Sequence, residues 1–340
     1  MELETADRPV ADAGSGRRLR ILTWHVHGNY LYSLTRAPHD FIIPVMDDGR
    51  PGYSPLGNKI PWGNNVREVP VAEIRNERLD CVVYQSRPAF EVDGHDLLTR
   101  AQRNLPCVYI EHNPPEPHPT DTPHFFHHDK GILVHVTAYN AMMWSAPDTR
   151  TAVIEHGVPA VAGVTATGEL ARGITVINHL QRRGRRVGAD IYERAQRRIA
   201  LDLIGMESGN MPGGLGEVPN MEVPAVLARY RFFFTPVRYA SLGLSVIEAM
   251  MVGLPVVGMA TTELPSVIDS GVTGFVDTRW ERVEECMQRL IVDRDLALAW
   301  GQAARLVARE RFGMDRYLQD WMRLYSQLTG AHLEQSISSP

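Results

Sequence analysis

The stretch RYASLGLSVIEAMMVGLPVV, residues 238–257, contains groups that could bind a phosphate and a ribose. A short loop follows an apolar run, and a helical period then begins near Leu244. The first backbone N–H groups of a helix have no acceptor inside it, so the amides of Gly243, Leu244 and Ser245 could donate to a phosphate. Glu248 lies one turn beyond Leu244 on the same face, where its carboxylate could accept hydrogen bonds from ribose hydroxyls.

The same residues also have a purely structural interpretation. Ser241 could cap the helix, and Glu248 could be a solvated or structural carboxylate. Strand–helix–strand units are common, and only a minority of helix N-termini bind anions. The residues alone leave both interpretations open.

A basic run, QRRGRR at residues 181–186, follows an apolar run of the second half. The forked guanidinium group matches two phosphate oxygens at once, so we take Arg182, Arg183 and Arg186 as phosphate-binding candidates. Arg185 belongs to the same run, and the sequence does not say which of the four points inward. A solvated surface loop is the alternative, because exposed charge runs are common.

The first half offers candidates that directly follow apolar runs. His112 follows CVYIE (107–111), and its neighbouring prolines would stiffen the loop. His27, Gly28 and Asn29 occupy the first strand-to-helix turn, and Gln85 follows another run. Each of these has a structural alternative, since a lone histidine after a strand is more often structural than catalytic.

The histidines at residues 118–128 have irregular spacing and no helical His pair with a Glu, so we predict no metal site there.

Short apolar runs bounded by polar, Gly or Pro residues recur in both halves of the chain and alternate with helical periods. Apolar runs without alternating polar residues are typical of parallel strands that are buried on both faces. The pattern therefore predicts an α/β fold of two Rossmann-like, doubly wound domains. Ligands of such sheets collect at the carboxyl ends of the strands, and two facing domains would form a cleft. The predicted segments are a leader (1–16), a first domain (17–158), a hinge (159–173), a second domain (174–312), a C-terminal helix (313–330) and a tail (331–340).

Composition limits the function classes. The 340 residues are 44% hydrophobic and 22% charged with a formal net charge of −5, which argues against a general nucleic-acid-binding surface. The three cysteines are far apart and the first sixteen residues have no apolar stretch, so we expect no disulfide framework and no signal peptide. We also expect no membrane-spanning helix and a cytoplasmic location. Both termini have the composition of disordered segments.

One part of the chain resembles a known family. SLGLSVIEAMMVGLPVVGMATTELPSVIDSGVTGFVD, residues 241–277, is similar to the donor-binding core of retaining GT-B glycosyltransferases of the glycosyltransferase family 4 type. The resemblance implies that the Gly243 and Leu244 amides bind the donor phosphate, that Glu248 holds the ribose and that His112 approaches the transferred sugar. We take Ser241, Leu242 and Ser245 of the same stretch as further donor-binding candidates. The resemblance also implies a nucleotide diphosphate sugar as co-substrate, no cofactor or metal, and a C-terminal helix that packs back on the first domain.

Two positions depart from that family. Ala240 stands where a first Glu usually contacts the transferred sugar, and Ser266 in TELPSVI stands where another Glu is usual. We therefore predict a metal-independent, retaining glycosyltransferase with changed donor recognition. The alternatives are a non-catalytic nucleotide-sugar-binding partner, a sugar-nucleotide epimerase and a glycoside phosphorylase. The sequence leaves open the base, the sugar, the acceptor and the oligomeric state.

Overall fold

The computed structural model describes residues 17–330, so the predicted leader and tail lie outside the described residues. Within that range the first sheet has seven strands in the order β3-β2-β1-β4-β5-β6-β7, and all of its pairings are parallel. Its strands are β1 Arg20–Thr23, β2 Asp40–Val45, β3 Val66–Pro70, β4 Cys81–Tyr84, β5 Cys107–Glu111, β6 Gly131–His135 and β7 Thr151–Val153.

The second sheet has six strands in the described chain, in the order β10-β9-β8-β11-β12-β13, and is also parallel throughout. Each sheet has the strand order of a doubly wound domain, with its switch point between the first strand and the fourth. The strands are β8 Leu170–Val176, β9 Leu201–Ile204, β10 Gly214–Gly216, β11 Tyr230–Thr235, β12 Val256–Met259 and β13 Gly274–Asp277.

The helices cover both faces of the two sheets. They are α1 Gly28–Leu34, α2 Gly94–Leu97, α3 Arg100–Arg103, α4 Ala138–Met143, α5 Leu180–Arg183, α6 Ala189–Gln196, α7 Val223–Leu227, α8 Leu244–Val252, α9 Leu264–Val267, α10 Trp280–Val292, α11 Arg294–Phe312 and α12 Met314–Thr329.

The central strands are apolar on both faces because each sheet is sandwiched between two layers. Strands β4, β5 and β6 are buried at every position, and each sheet has a separate apolar cluster on either side. The two facing sheets confirm the predicted pair of Rossmann-like domains.

The C-terminal helix belongs to the core of the first domain. Tyr317, Trp321 and Tyr325 of α12 are buried in the same cluster as Ile21 of β1. Their spacing of four residues forms one apolar face, which is why α12 packs against a sheet that precedes it by most of the chain. The chain thus returns to its first domain after completing the second.

Four elements differ from the sequence-based expectation. Strand β8 begins at Leu170, inside the segment predicted as a hinge (159–173). The edge strands β3 and β10 escaped prediction because most of their residues are not buried. Helix α11 was also missed, although Asp293 caps it by accepting a hydrogen bond from the Leu296 amide at 2.9 Å.

Candidate functional site

A cavity of about 190 Å³ lies at the carboxyl ends of β8, β11 and β12, on the side of the second sheet that faces the first domain. Its wall contains much of the loop that precedes α8. The lining residues from that loop and the start of α8 are Ala240, Ser241, Leu242, Gly243, Ser245 and Val246. Ligands of open parallel sheets bind in this position.

The N-terminus of α8 opens into this cavity. Gly243 is the N-cap residue, it is exposed, and no side chain accepts a hydrogen bond from the first turn. Ser245 does not cap its own helix, because its hydroxyl donates to the Val176 carbonyl at 3.2 Å. The first amides of α8 therefore remain available to an anion, and the helix dipole adds to the attraction.

Glu248 is half-buried one turn further along α8 and is not among the cavity-lining residues. Leu244, on the same face of α8, packs against core clusters of both domains, so this face lies at the domain interface. Within residues 17–330, no hydrogen bond or ion pair reaches the Glu248 carboxylate, and burial raises its pKa to about 7. This carboxylate is poised to accept hydrogen bonds from a ligand.

The four arginines of the basic run have different environments. Arg183 lines the cavity and has no carboxylate partner in the described chain, and partial burial together with the Arg182 charge lowers its pKa. Arg185 is ion-paired with Asp190 at 2.7 Å, while Arg182 is exposed and does not line the cavity.

Arg186 is already engaged. It forms an ion pair with Glu116 of the first domain and donates from Nε to the Tyr239 carbonyl at 3.1 Å. Of the three predicted phosphate-binding arginines, only Arg183 is therefore both at the cavity and free of a carboxylate.

Three of the residues predicted in the first domain meet. The rings of His27 and His112 have their centroids 4.2 Å apart, and His112 Nε2 lies 3.3 Å from Gln85 Oε1. Burial, with the nearby His27 and His156 rings, holds the pKa of His112 well below its usual range. His112 is thus neutral at pH 7 and can position a substrate by hydrogen bonding rather than by charge.

The two domains touch around this histidine cluster. His156 donates from Nε2 to the Leu242 carbonyl at 3.1 Å, and its ring lies 5.6 Å from that of Tyr30, which in turn contacts His112 at 4.6 Å. Contacts between these rings thus connect His112 with the loop that precedes α8.

Two further hydrogen bonds cross between the domains. Asn140 donates to Ser241 Oγ at 3.0 Å, and Asn220 donates to the side chain of Asn29 at 2.7 Å. The N-cap of α8 is Gly243 rather than Ser241. Gly28 begins α1 directly beside Asn29.

The two departures from the family pattern have different surroundings. Ala240 lines the cavity and leaves it without a carboxylate at that position. Ser266 donates its hydroxyl to the buried Glu263, which also accepts from Arg311 Nη2 at 3.3 Å and from the Tyr139 amide at 2.8 Å. Glu263 therefore ties the loop after β12 to the first domain and is not available to a ligand.

Sequence reasoning missed several polar residues of the cavity. Asn178, Thr235, Thr261 and Thr262 line it; Thr235 ends β11, and the others lie two or three residues after β8 or β12. Thr262 also has a positive φ of 49°, which is uncommon for a threonine. Position after a strand was the available signal, but it does not distinguish these residues from other loop residues.

The described residues contain neither a metal centre nor a disulfide. Within residues 17–330, no group of three or more His, Cys, Asp or Glu side chains could hold a metal ion. Cys81, Cys107 and Cys286 are free and buried. No described helix is both long and apolar enough to cross a membrane.

Comparison with known proteins gives one family match. Residues 213–307 match the model of the family Glycosyl transferases group 1. A Klebsiella pneumoniae protein described as an uncharacterized 41.2 kDa protein in the cps region is 28% identical over 113 residues. That alignment covers 32% of this chain and 31% of the relative, so less than a third of the relative's length is matched.

Solved structures match over nearly the whole chain. Sucrose-phosphate synthase from Thermosynechococcus elongatus has a TM-score of 0.69 at 14% identity, covering 93% of this chain and 100% of that one. A Rickettsia africae glycosyltransferase has a TM-score of 0.64 at 13% identity, covering 92% and 99%. Anabaena HepE in complex with UDP and glucose has a TM-score of 0.64 at 14% identity, covering 91% and 100%. The chain therefore has the GT-B fold, and its residues 213–307 are similar to a group 1 glycosyltransferase domain.

Proposed function

We propose that this protein transfers a sugar from a nucleotide diphosphate sugar to an acceptor hydroxyl, as a family 4 type enzyme that retains the anomeric configuration and needs no metal. The observation that carries the proposal is the uncapped N-terminus of α8, which opens into a cavity with Arg183 on its wall and belongs to the matched group 1 region. The solved complex of HepE with UDP and glucose supports the choice of donor class.

In the proposed reaction the diphosphate is the leaving group. The Leu244 and Ser245 amides and the Arg183 guanidinium stabilise the negative charge that develops on it as the bond to the sugar breaks. Because α8 fixes the two amides before the substrate arrives, they need little reorganisation during the reaction. Fixed positive groups also take the role that a divalent cation would otherwise fill at the diphosphate.

The first domain supplies the other wall of the proposed site. His112, held by Gln85 and neutral at pH 7, hydrogen-bonds a hydroxyl of the transferred sugar. His27, Gly28 and Asn29 lie beside it, where the acceptor would enter. Contact between the domains excludes water that would hydrolyse the donor.

Ala240 favours a second candidate function. Without a carboxylate at this cavity position, the chain could bind a nucleotide sugar without transferring it and act as the partner of an active enzyme. We favour changed donor preference, because the phosphate side and Glu248 remain in place.

Mass spectrometry separates these functions. The protein is incubated with UDP-, GDP-, ADP- and dTDP-sugars and a mixture of sugar acceptors, and the products are weighed. Transfer predicts a product heavier than its acceptor by one sugar residue, together with release of nucleoside diphosphate. Nucleotide-sugar binding without product for any donor would support the non-catalytic partner. Nucleotide release that does not depend on an acceptor, without transfer, would show that water takes the sugar and would contradict transfer to an acceptor.

A further inference from the structure

The connection between β2 and β3, residues 46–65, is long for a loop without regular structure, and such loops are commonly functional. It is fixed to the end of β1. The His25 amide donates to the Gly52 carbonyl at 3.3 Å, and His25 Nδ1 bonds the Ser54 carbonyl at 2.9 Å. Tyr53 is buried and anchors the loop in the core.

This loop helps to build a group of half-buried side chains that we name the aromatic rim: His25, Tyr32, Ile60 and Trp62. The Trp62 ring meets those of His25 and Tyr32 edge to face, with centroids 5.9 and 6.0 Å away. Trp62 Nε1 donates to the Leu56 carbonyl at 3.3 Å, which fixes the orientation of the indole. The rings are thus held in place while part of their surface faces solvent.

The aromatic rim is adjacent to the acceptor side of the proposed site. A Cβ placed on Gly28 would lie 3.8 Å from His25 Nε2 and 3.9 Å from Ile60 Cδ1, so the rim packs beside the start of α1. His27, one residue earlier, contacts His112. Asn29, one residue later, contacts the second domain. A ligand on the rim would therefore extend towards His112.

We infer that the aromatic rim binds a sugar unit of the acceptor, so that the acceptor is a carbohydrate. This inference rests on the proposed function. A pyranose has an apolar C–H face that packs on an aromatic ring and a hydroxyl edge that needs polar partners. The rim offers both, because His25 Nε2 carries no hydrogen bond within residues 17–330 and Asn29 is close by.

The inference predicts direct binding of simple sugars. Saturation-transfer NMR would be recorded with the methyl glycosides of glucose, galactose, mannose and N-acetylglucosamine, and with the corresponding disaccharides, on protein saturated with nucleoside diphosphate. We expect at least one of them to receive magnetisation at its ring protons. Trp62→Ala should weaken that binding about ten-fold, and Trp62→Phe should keep part of it.

Trp300→Ala is the matched control, because Trp300 is also half-buried but packs against the apolar cluster around α10, away from the rim. We expect this variant to bind the sugar like the unmodified protein. The inference is overturned if no sugar of the panel binds, or if Trp62→Ala and Trp300→Ala bind it equally.

Nucleotide binding separates this inference from the proposed function. Trp62→Ala should change nucleoside diphosphate affinity less than two-fold, as measured by calorimetry. If the unmodified protein binds no nucleotide, the proposed function fails. The saturation-transfer experiment, repeated without nucleotide, then still tests sugar binding at the aromatic rim. If nucleotide binds normally and no sugar does, only the carbohydrate acceptor is rejected.

Discussion

Replacement of Glu248 gives the sharpest test of how the site holds its nucleotide. The carboxylate has no partner in the described chain, and burial raises its pKa to about 7. It is therefore partly protonated at pH 7. Ribose hydroxyls donate to the ionised form, so a bound nucleotide should lower this pKa and release part of a proton at pH 7.

The energy of this contact sets the expected loss of affinity. A hydrogen bond to a charged group contributes about 1.5–3 kcal/mol, so Glu248→Ala should weaken nucleoside diphosphate binding about 10- to 150-fold at pH 8. Calorimetry in two phosphate-free buffers with different ionisation enthalpies, such as HEPES and Tris, measures affinity and proton release together. Because a terminal phosphate also titrates near pH 6, Glu248→Gln measured in the same two buffers provides the baseline.

The same pKa predicts how the unliganded protein responds to pH. A carboxyl group whose pKa is raised on folding binds its proton more tightly when folded, so its contribution to stability falls as pH rises from the unfolded pKa of about 4.5 to about 7. The shift corresponds to about 3 kcal/mol as an upper estimate. Glu248→Gln should therefore unfold at a higher temperature than the unmodified protein at pH 8 and near the same temperature at pH 4.5.

Two results would refute this reasoning. Equal proton release by the unmodified protein and Glu248→Gln would show that the carboxylate does not ionise on binding. Unchanged nucleotide affinity in Glu248→Ala would show that it does not contact the ribose.

Three further substitutions test other parts of the account. Arg183→Ala should weaken nucleoside diphosphate binding at least about ten-fold by loss of a charged hydrogen bond, whereas the control Arg182→Ala, outside the cavity lining, should change it less than about two-fold; equal effects would remove Arg183 from the phosphate site. Ala240→Glu should change which nucleotide sugar gives most product while nucleoside diphosphate affinity stays constant, and a uniform loss for all donors would contradict a role in sugar choice. Gly301→Ala should lower the melting temperature by several degrees, because its Cβ would lie 1.9 Å from the Gly253 carbonyl and force α11 away from α8; an unchanged melting temperature would contradict the close packing.

Much of the fold could be predicted because buried parallel strands leave uninterrupted apolar runs, as in CVVY and CVYIE. The edge strands could not be, because β3 is largely exposed and β10 is only Gly-Leu-Gly. Those strands form because they pair in register with a neighbouring strand, and a local sequence pattern does not reveal such pairing.

The site was predictable where one local pattern carries it, as at the strand–loop–helix junction before α8. It was not predictable where function depends on partners distant in sequence. Arg182, Arg183 and Arg186 are alike in sequence, and only the positions of the cavity and of Glu116 separate them. The same is true of the aromatic rim, since Trp62 meets His25 and Tyr32 only through the course of the loop at residues 46–65.

Thermal stabilisation by nucleotide sugars tests the central claim most directly, because a ligand that binds only the folded protein raises its melting temperature. At a ligand concentration about 100 times its Kd, the stabilisation is about 2.7 kcal/mol. The account predicts that at least one UDP-, GDP-, ADP- or dTDP-sugar raises the melting temperature by several degrees and that Arg183→Ala loses most of this effect. A panel in which no nucleotide sugar stabilises the protein, or in which Arg183→Ala is stabilised equally, would contradict it.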